Sequence, residues 1–267
     1  MSVTHSLVGV AGTNLPSTPA TAVEAWKVEI KGAAASISRF TGRDGVTEWQ
    51  VAVSLKRSTG DPSADLEARW LEALADAGLG PDSTVMRRVF CSDVVNQAPQ
   101  LREFSRAYPG GFSAIGQPPS CGGKFAIWSQ HVTDPGVTLD TVPGDGWFCL
   151  RRGPLHHFWT SEGTCDGEAG AARQCAGVLE DYDAWLRSHG MTLEGNVVRT
   201  WWYVRDVDSD YRDLVEVRRR FFEEHGLTRD THYIASTGIA GAPRSVASRL
   251  SLDAYAIRGL VPGQVRH

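Results

Sequence analysis

The 267-residue sequence has no Cys-x-x-Cys pair, and its five cysteines (Cys91, Cys121, Cys149, Cys165 and Cys175) are an odd number. That argues against a structural zinc site and against a disulfide scaffold, and it places the chain in a reducing compartment, the cytoplasm. No apolar run approaches the roughly 18 residues of a membrane-spanning helix, so no membrane segment is expected. Basic residues are not in excess: 27 Lys and Arg stand against 31 Asp and Glu, a net charge of −4. Neither nucleic acid nor an anionic membrane surface is therefore favoured as a partner. No His/Cys/Asp cluster has the spacing of metal ligands, and no metal or other cofactor is expected. The N-terminus lacks a basic region ahead of an apolar one; residues 1–25, rich in Ser, Thr, Pro and Gly, are expected to be a loose leader rather than a signal peptide.

What is present is ordinary for a globular chain, with 42% apolar and 22% charged residues. The length suits one large domain or two of about 130 residues each. The organising stretch runs from Ala171 to Ile257, around Val197-Val198-Arg199-Thr200-Trp201-Trp202-Tyr203-Val204. That run is β-branched and aromatic, too short for a helix, and closed by Arg205-Asp206-Val207-Asp208, which predicts a buried strand. A helix with the stripe Cys175, Val178, Leu179, Tyr182 and Leu186 precedes it. Another helix follows, with Ser209 as its cap and Leu214, Val217 and Phe221 inward. The loop from Leu227 to Gly241 then leads into a last strand, Arg249 to Ile257, and a hairpin over Trp147–Arg151 and His156–Thr160 opens the unit.

The same order occurs once before. Trp26 to Ile37 and Glu48 to Leu55 predict two strands. Asp61-Pro62 caps and opens a helix carrying Leu66, Trp70 and Leu74, which Gly78 closes. Thr84 to Ser92 predicts a strand, Asn96 a cap for a second helix with Leu101 and Phe104 inward, and Lys124 to Val132 a final strand. A shift of 112 places Gly78 on Gly190 and Arg87 on Arg199; a shift of 124 places Ser113-Ala114-Ile115 on Thr237-Gly238-Ile239. Duplication is the reading preferred to chance similarity of two α/β stretches. The expected domains are a first unit over 26–133, a linker over 134–145 rich in Pro, Gly and Asp, a second unit over 146–258, and a tail over 259–267.

The pattern of helix, Gly, strand, Asp-rich turn, helix ending in Phe221-Phe222, small polar loop and strand resembles the RidA (YjgF) family. Arg199 to Asp208 is similar to its central strand and turn, Ser113 to Pro119 to its strand entry in multi-repeat relatives, and Thr231 to Ile239 to the matching segment of long, multi-repeat proteins. Chorismatases are distant relatives on the same fold. The resemblance implies an α+β fold of tandem RidA/YjgF-like units, each a mixed sheet covered by two helices. It also implies that three units form a ring with ligands in the clefts between neighbours. In competent members an Arg at the last loop–strand junction binds a substrate carboxylate, and imines or enamines are hydrolysed. Here the matching positions are Phe112 and Ser236, neither able to form a charged fork. The long relatives also carry a third unit, whereas this chain stops at His267.

The polar residues expected at the clefts lie in the second unit. Glu162, His232 and Thr237 are the catalytic candidates; Trp159, Ser161, Tyr233, Ser236 and Arg249 are the substrate-binding ones. Glu162 follows the hairpin and suits general acid or base work, or else it solvates a loop. His156 and His157 alternate faces, so only one points inward. His232-Tyr233 sits in the longest loop; Arg249 is the candidate to replace the lost fork, or else an exposed strand residue. Trp159, Trp201 and Trp202 are core residues or the lining of a pocket for a planar ligand. The main pocket is expected at a boundary between units, lined by 156–162 and 232–249. Three function classes follow: a RidA-like small-molecule enzyme with an altered site acting on an imine, enamine or cyclic acid in specialised metabolism; a chorismatase-like lyase or hydrolase; or a non-catalytic ligand-binding or assembly protein. Two units per chain cannot close one ring of three, so a homotrimer of six units is expected.

Overall fold

A computed structural model describes residues 23–56, 60–134, 140–167 and 169–261. The first unit consists of β1 (Val23–Ile30), β2 (Ala33–Thr41), β3 (Thr47–Leu55), α1 (Pro62–Asp76), β4 (Thr84–Cys91), α2 (Ala98–Ala107), β5 (Gly111–Gly116) and β6 (Phe125–Thr133). The second consists of β7 (Asp140–Gly144), β8 (Trp147–Arg152), β9 (Leu155–Gly163), α3 (Ala171–Ser188), the single turn α4 (Leu193–Asn196), β10 (Val197–Val204), α5 (Val207–Glu224), β11 (Ala235–Ala240) and β12 (Leu250–Arg258). The sheets run β1-β2-β3-β6-β4-β5 and β7-β8-β9-β12-β10-β11, the same order twice. In each, one pair is parallel (β4 with β5, β10 with β11) and all other neighbours are antiparallel. The fold is α+β, two mixed sheets each carrying its long helices on one face.

Local chemistry explains the elements. The Asp61 carboxylate accepts from the Ser63 amide and caps α1, with Pro62 at the first helical position. The Asp206 carboxylate accepts from the amides of Asp208 and Ser209 and caps α5. Ser209, expected as that cap, is instead inside the first turn, because an Asp three residues earlier already satisfies those donors. Asn96 does not cap α2 either; it bonds Asp93, and Gln97 stands at the cap with no side-chain bond to the helix, its Oε1 accepting instead from the Asp93 amide at 3.2 Å. The run Trp26 to Ile37 is two strands rather than one, folded back at Lys31-Gly32, where Gly32 has φ of 78°. The loop expected over Leu227 to Gly241 contains β11, which adds to the edge of the second sheet. Asp140 to Gly144, expected within the linker, forms β7 and pairs with β8; the leader falls outside the described residues except for Val23 to Ala25, which lie in β1.

One predicted match is shifted by a residue. Arg87 pairs with Phe112 in the first unit, and Thr200 pairs with Ser236 in the second. The structural counterpart of Arg87 is therefore Thr200, not Arg199. Because side chains alternate along a strand, this slip exchanges the two faces: Arg87 is buried under α2, whereas Arg199 is exposed.

Each helix layer covers its own core. Trp70, Leu74, Val89, Leu101 and Phe125 centre the first, and Val178, Leu186, Trp202, Leu214 and Leu252 the second. A third cluster joins the units. Val85, Met86 and Val132 of the first meet Phe148, Leu150 and Trp159 of the second. The alternation of β8 and β9 accounts for it: Cys149 and Phe158 turn to the helices, so Phe148, Leu150 and Trp159 turn to the other unit. Full burial of each such side chain contributes about 1.5–3 kcal/mol. The units are further tied where Gly116 and Ala242 exchange both backbone hydrogen bonds, at 2.8 and 3.0 Å.

Candidate active site between the two units

The site grows from an irregularity in β9. In its pairing with β12, Thr160 faces Ala254 and Gly163 faces Leu252. Ser161 and Glu162 therefore share the single residue Asp253 opposite them, which is a β-bulge. Glu162 takes φ of 54°, the one left-handed non-glycine residue among those described. Its amide donates to Asp253 Oδ1 at 3.1 Å, and its side chain leaves the sheet toward the first unit. There the Ala114 amide of β5 donates to Glu162 Oε1 at 2.8 Å. The other carboxylate oxygen is paired with the Arg244 guanidinium. Arg244 arrives on the segment after β11, anchored by the Gly116–Ala242 exchange.

Asp253 is the buried pivot, 1% exposed. It accepts from Arg88 Nε at 2.8 Å and Ser113 Oγ at 2.6 Å, both of the first unit, as well as from the Glu162 amide. The Arg88 guanidinium lies 4.0 Å from the Trp201 ring and 5.0 Å from that of Trp128, which completes its neutralisation. A buried charge fully paired in this way fixes the units against each other.

Above Glu162 opens a cleft of about 520 Å³. Arg102 and Arg106, one turn apart on α2, form one rim; Gly111 and Phe112 of β5, the turn Gly144 to Trp147, Ser161 and Arg244 form the rest. Arg102 and Arg106 have no ion-pair partner among the described residues. The cleft therefore presents three guanidinium groups with two carboxyls, the part-buried one of Glu162 and the exposed one of Asp145. Burial pushes the Glu162 carboxyl up to about 7, with Arg244 and the Ala114 amide opposing and the Asp253 charge adding to the rise. Near neutrality Glu162 is thus divided between acid and base forms, the condition for proton transfer in either direction.

The candidates from sequence separate into two groups. Glu162 and Ser161 line the cleft. Trp159 lies beneath it in the inter-unit core, its Nε1 donating to Gln130 Oε1 at 3.3 Å. The others are elsewhere on the second unit. His232 Nε2 lies 3.1 Å from the Glu194 carbonyl, and Tyr233 is 63% exposed. Ser236 bonds Thr200 and Arg218, and Thr237 accepts from Arg199. Arg249 pairs with Asp210 at 2.9 Å, so the guanidinium near the cleft carboxyl is that of Arg244, five residues earlier. His157, stacked on Tyr255 and hydrogen-bonded to its hydroxyl at 2.6 Å, is the inward member of the histidine pair. Arg102, Arg106, Arg244 and Asp253 were not legible as site residues; the i, i+4 arginine pair on α2 was the one local signal. Cys91 and Cys175 are buried thiols pushed up to about 12, which suits packing rather than nucleophilic work. No group of three His, Cys, Asp or Glu able to hold a metal occurs among the described residues, and no helix there is long and apolar enough to cross a membrane.

No protein-family model matches the chain, and none of the curated proteins does. Solved structures do. Chorismatase is 15% identical over 86% of this chain and 78% of its own, with a TM-score of 0.55. A YjgF-family member from Mycobacterium tuberculosis is 24% identical, covering 40% of this chain and 82% of its own at a TM-score of 0.32. TdcF of E. coli, with bound serine, is 22% identical, covering 46% and 92% at 0.35. The overlay with chorismatase spans both units and carries the fold. The chain is an α+β protein of two tandem units with one strand order, similar in fold to chorismatase.

Proposed function

We propose that the protein is a cytoplasmic small-molecule enzyme of RidA-like fold with an altered site, acting on a carboxylate-bearing imine, enamine or related cyclic acid of specialised metabolism. The observation that supports this reading is Glu162: an acid–base group poised at about 7, held by a bulge inside an arginine-rimmed cleft. Arg102 and Arg106 draw an anionic substrate, and Arg244 with the Ala114 amide provides a carboxylate-sized cradle that the Glu162 carboxyl itself fills at rest. For an imine, Glu162 takes one proton from water as the oxygen adds to the C=N carbon and passes it to nitrogen, giving a carbinolamine. It then takes the hydroxyl proton as the C=O bond forms and delivers it to the leaving nitrogen as the C–N bond breaks, so both water protons end on the nitrogen. The products are the ketone and the amine. The base form is required, so the rate falls as pH drops below about 7.

The test generates imines with an amino-acid oxidase and traps them with semicarbazide. Protein should lower the trapped fraction, and Glu162→Gln should lower the rate by about 10²–10⁴-fold. Trapped imine that falls no faster with protein than without would exclude imine hydrolysis. The overlay with chorismatase favours one second reading, a lyase or hydrolase of a chorismate-like acid, and incubation with chorismate followed by chromatography decides it.

A further inference from the structure

The Glu162–Arg244 pair has a second, smaller pocket behind it. About 90 Å³ in volume, it shares only those two residues with the cleft and is otherwise lined by Ala114, Thr164, Pro243, Ser245 and Ser251. Its back wall follows from the alternation of β12. Leu250, Leu252 and Ala254 belong to the core under the helices, so Ser251 turns to the opposite face together with Asp253. Ser251 is 5% exposed, and its hydroxyl has no hydrogen-bond partner among the described residues. Nor is that oxygen sealed off by its neighbours; it looks into the pocket. Thr164 and Ser245 both donate their hydroxyl protons to Asp166, Ser245 at 2.7 Å, which leaves their oxygens as acceptors. A wall made largely of hydroxyl groups and one carboxyl is that of a water site rather than of a dry void. At roughly 30 Å³ per molecule in the liquid, about three waters fit.

We propose that this pocket is the water inlet of the site: Ser251 anchors a water against the rear of the Glu162 carboxyl, and that water supplies the hydrolysis in the cleft. The inference rests on the hydrolytic reading of the site. Each turnover consumes one water, its oxygen passing to the ketone and both its protons to the leaving nitrogen. Glu162 therefore ends as it began, and water alone has to be replaced. A substrate held under Arg102, Arg106 and Arg244 fills the open side of Glu162, so the water must be held where the substrate does not displace it. The pocket is such a place. A carboxylate that accepts from the Ala114 amide and from Arg244 retains lone pairs for a further donor. A water there bridges Glu162 to the Ser251 hydroxyl, which can accept or donate. The charged groups around Glu162 are Arg244 and Asp253 beside it, Arg102, Arg106 and Asp145 across the cleft, and Asp166 behind the pocket.

Two full-chain variants of nearly equal shape test it: Ser251→Thr keeps the hydroxyl, and Ser251→Val replaces it by a methyl group. Carbon-13 labelling of the glutamate carboxyls, with the Glu162 signal assigned through Glu162→Gln, reads the titration of Glu162 without substrate. Ser251→Val should raise the Glu162 midpoint from about 7 to about 8, because the ionised carboxyl loses a solvating water, whereas Ser251→Thr should leave it near 7. In the imine assay Ser251→Val should lower kcat about tenfold at little cost in KM, and Ser251→Thr should not. A crystal structure of the unaltered protein should show ordered water within hydrogen-bond distance of both Ser251 Oγ and the Glu162 carboxyl. A pocket without ordered water there, or equal Glu162 midpoints in the two variants, overturns the inlet while the hydrolytic reading stands. Midpoints that separate in a protein that hydrolyses no imine overturn the role in hydrolysis and leave the water site standing.

Discussion

Glu162 is under stress from two directions. Its backbone sits in a conformation that costs a non-glycine residue about 1 kcal/mol or more, and its carboxyl is kept from full ionisation. Such a residue persists because Asp253, Ala114 and Arg244 hold it. The folded value near 7 lies above the unfolded value of 4.5, so its stabilising contribution is complete below about 4.5 and is lost as pH rises through about 7. The size of that loss is on the order of 3 kcal/mol. Because His131 titrates in the opposite sense over part of this range, chemical denaturation at pH 5 and pH 8.5 should show it as a difference between the wild type and Glu162→Gln, the variant losing less stability toward high pH. His131 has the opposite dependence. Its ring lies between Trp70, Ser83 and Ser129, and burial, aided by the Arg87 charge, depresses it to about 3. The unfolded chain takes up its proton near 6.5, so this contribution is complete above 6.5 and falls by about 1.4 kcal/mol per pH unit toward 3. A His131→Asn variant whose stability still declines with that slope would show that another group is responsible.

Among the elements, α2 depends on one side chain. Arg87 reaches up from β4 and donates to the carbonyls of Phe104, Ser105 and Tyr108, the orphan acceptors at the end of α2, at 2.7, 2.9 and 2.7 Å. Burial lowers its pKa to about 10, still far above neutrality, so it remains a cation. Arg87→Met should cost about 3 kcal/mol, read as a shift of the denaturation midpoint, because three carbonyls lose their donors; a loss below about 0.5 kcal/mol would mean that water replaces the guanidinium. This residue also shows where reading from sequence ends. The α1 start was legible because Asp61, Pro62 and Ser63 are a local cap. The two-unit plan was legible because helix stripes and strand runs repeat. The face of Arg87 was not, since it turns on register, and one residue of slip inverts it. β11 was hidden because Ala-Ser-Thr-Gly-Ile-Ala lacks the bulky residues that announce a strand. Glu162 could be suspected from its place after the hairpin, but its partners Asp253, Arg244 and Ala114 lie far from it in sequence and are brought there by a bulge and by the contact of two sheets.

The two units meet by unlike faces: β4 and β5 of the first lie against β8 and β9 of the second. Each unit consequently leaves its other face uncovered. On the first, the helix-free side of β1 to β3 forms a groove of about 650 Å³ with Ser36, Ser38, Gln50 and Ala52 on its floor and Trp128 at its side. On the second, β11 is an edge strand, exposed or half-buried along its length, beside the exposed Arg199 and half-buried Trp201. These are the counterparts, by strand order, of the surfaces already joined inside the chain. A contact between unlike faces propagates until it closes, and a closed ring leaves no open sheet edge. We therefore propose a homotrimer, in which the β10–β11 face of each copy covers the β2–β3 groove of the next and six units close the assembly. Light scattering should give a mass three times 29.0 kDa that does not fall on dilution. Gln50→Arg with Ala52→Arg, on the floor of the groove and away from both cores, should shift the mass to that of one chain without changing the cooperative unfolding of the units. A native protein that scatters as a single chain would show that the two units satisfy each other and that the open faces are merely solvated.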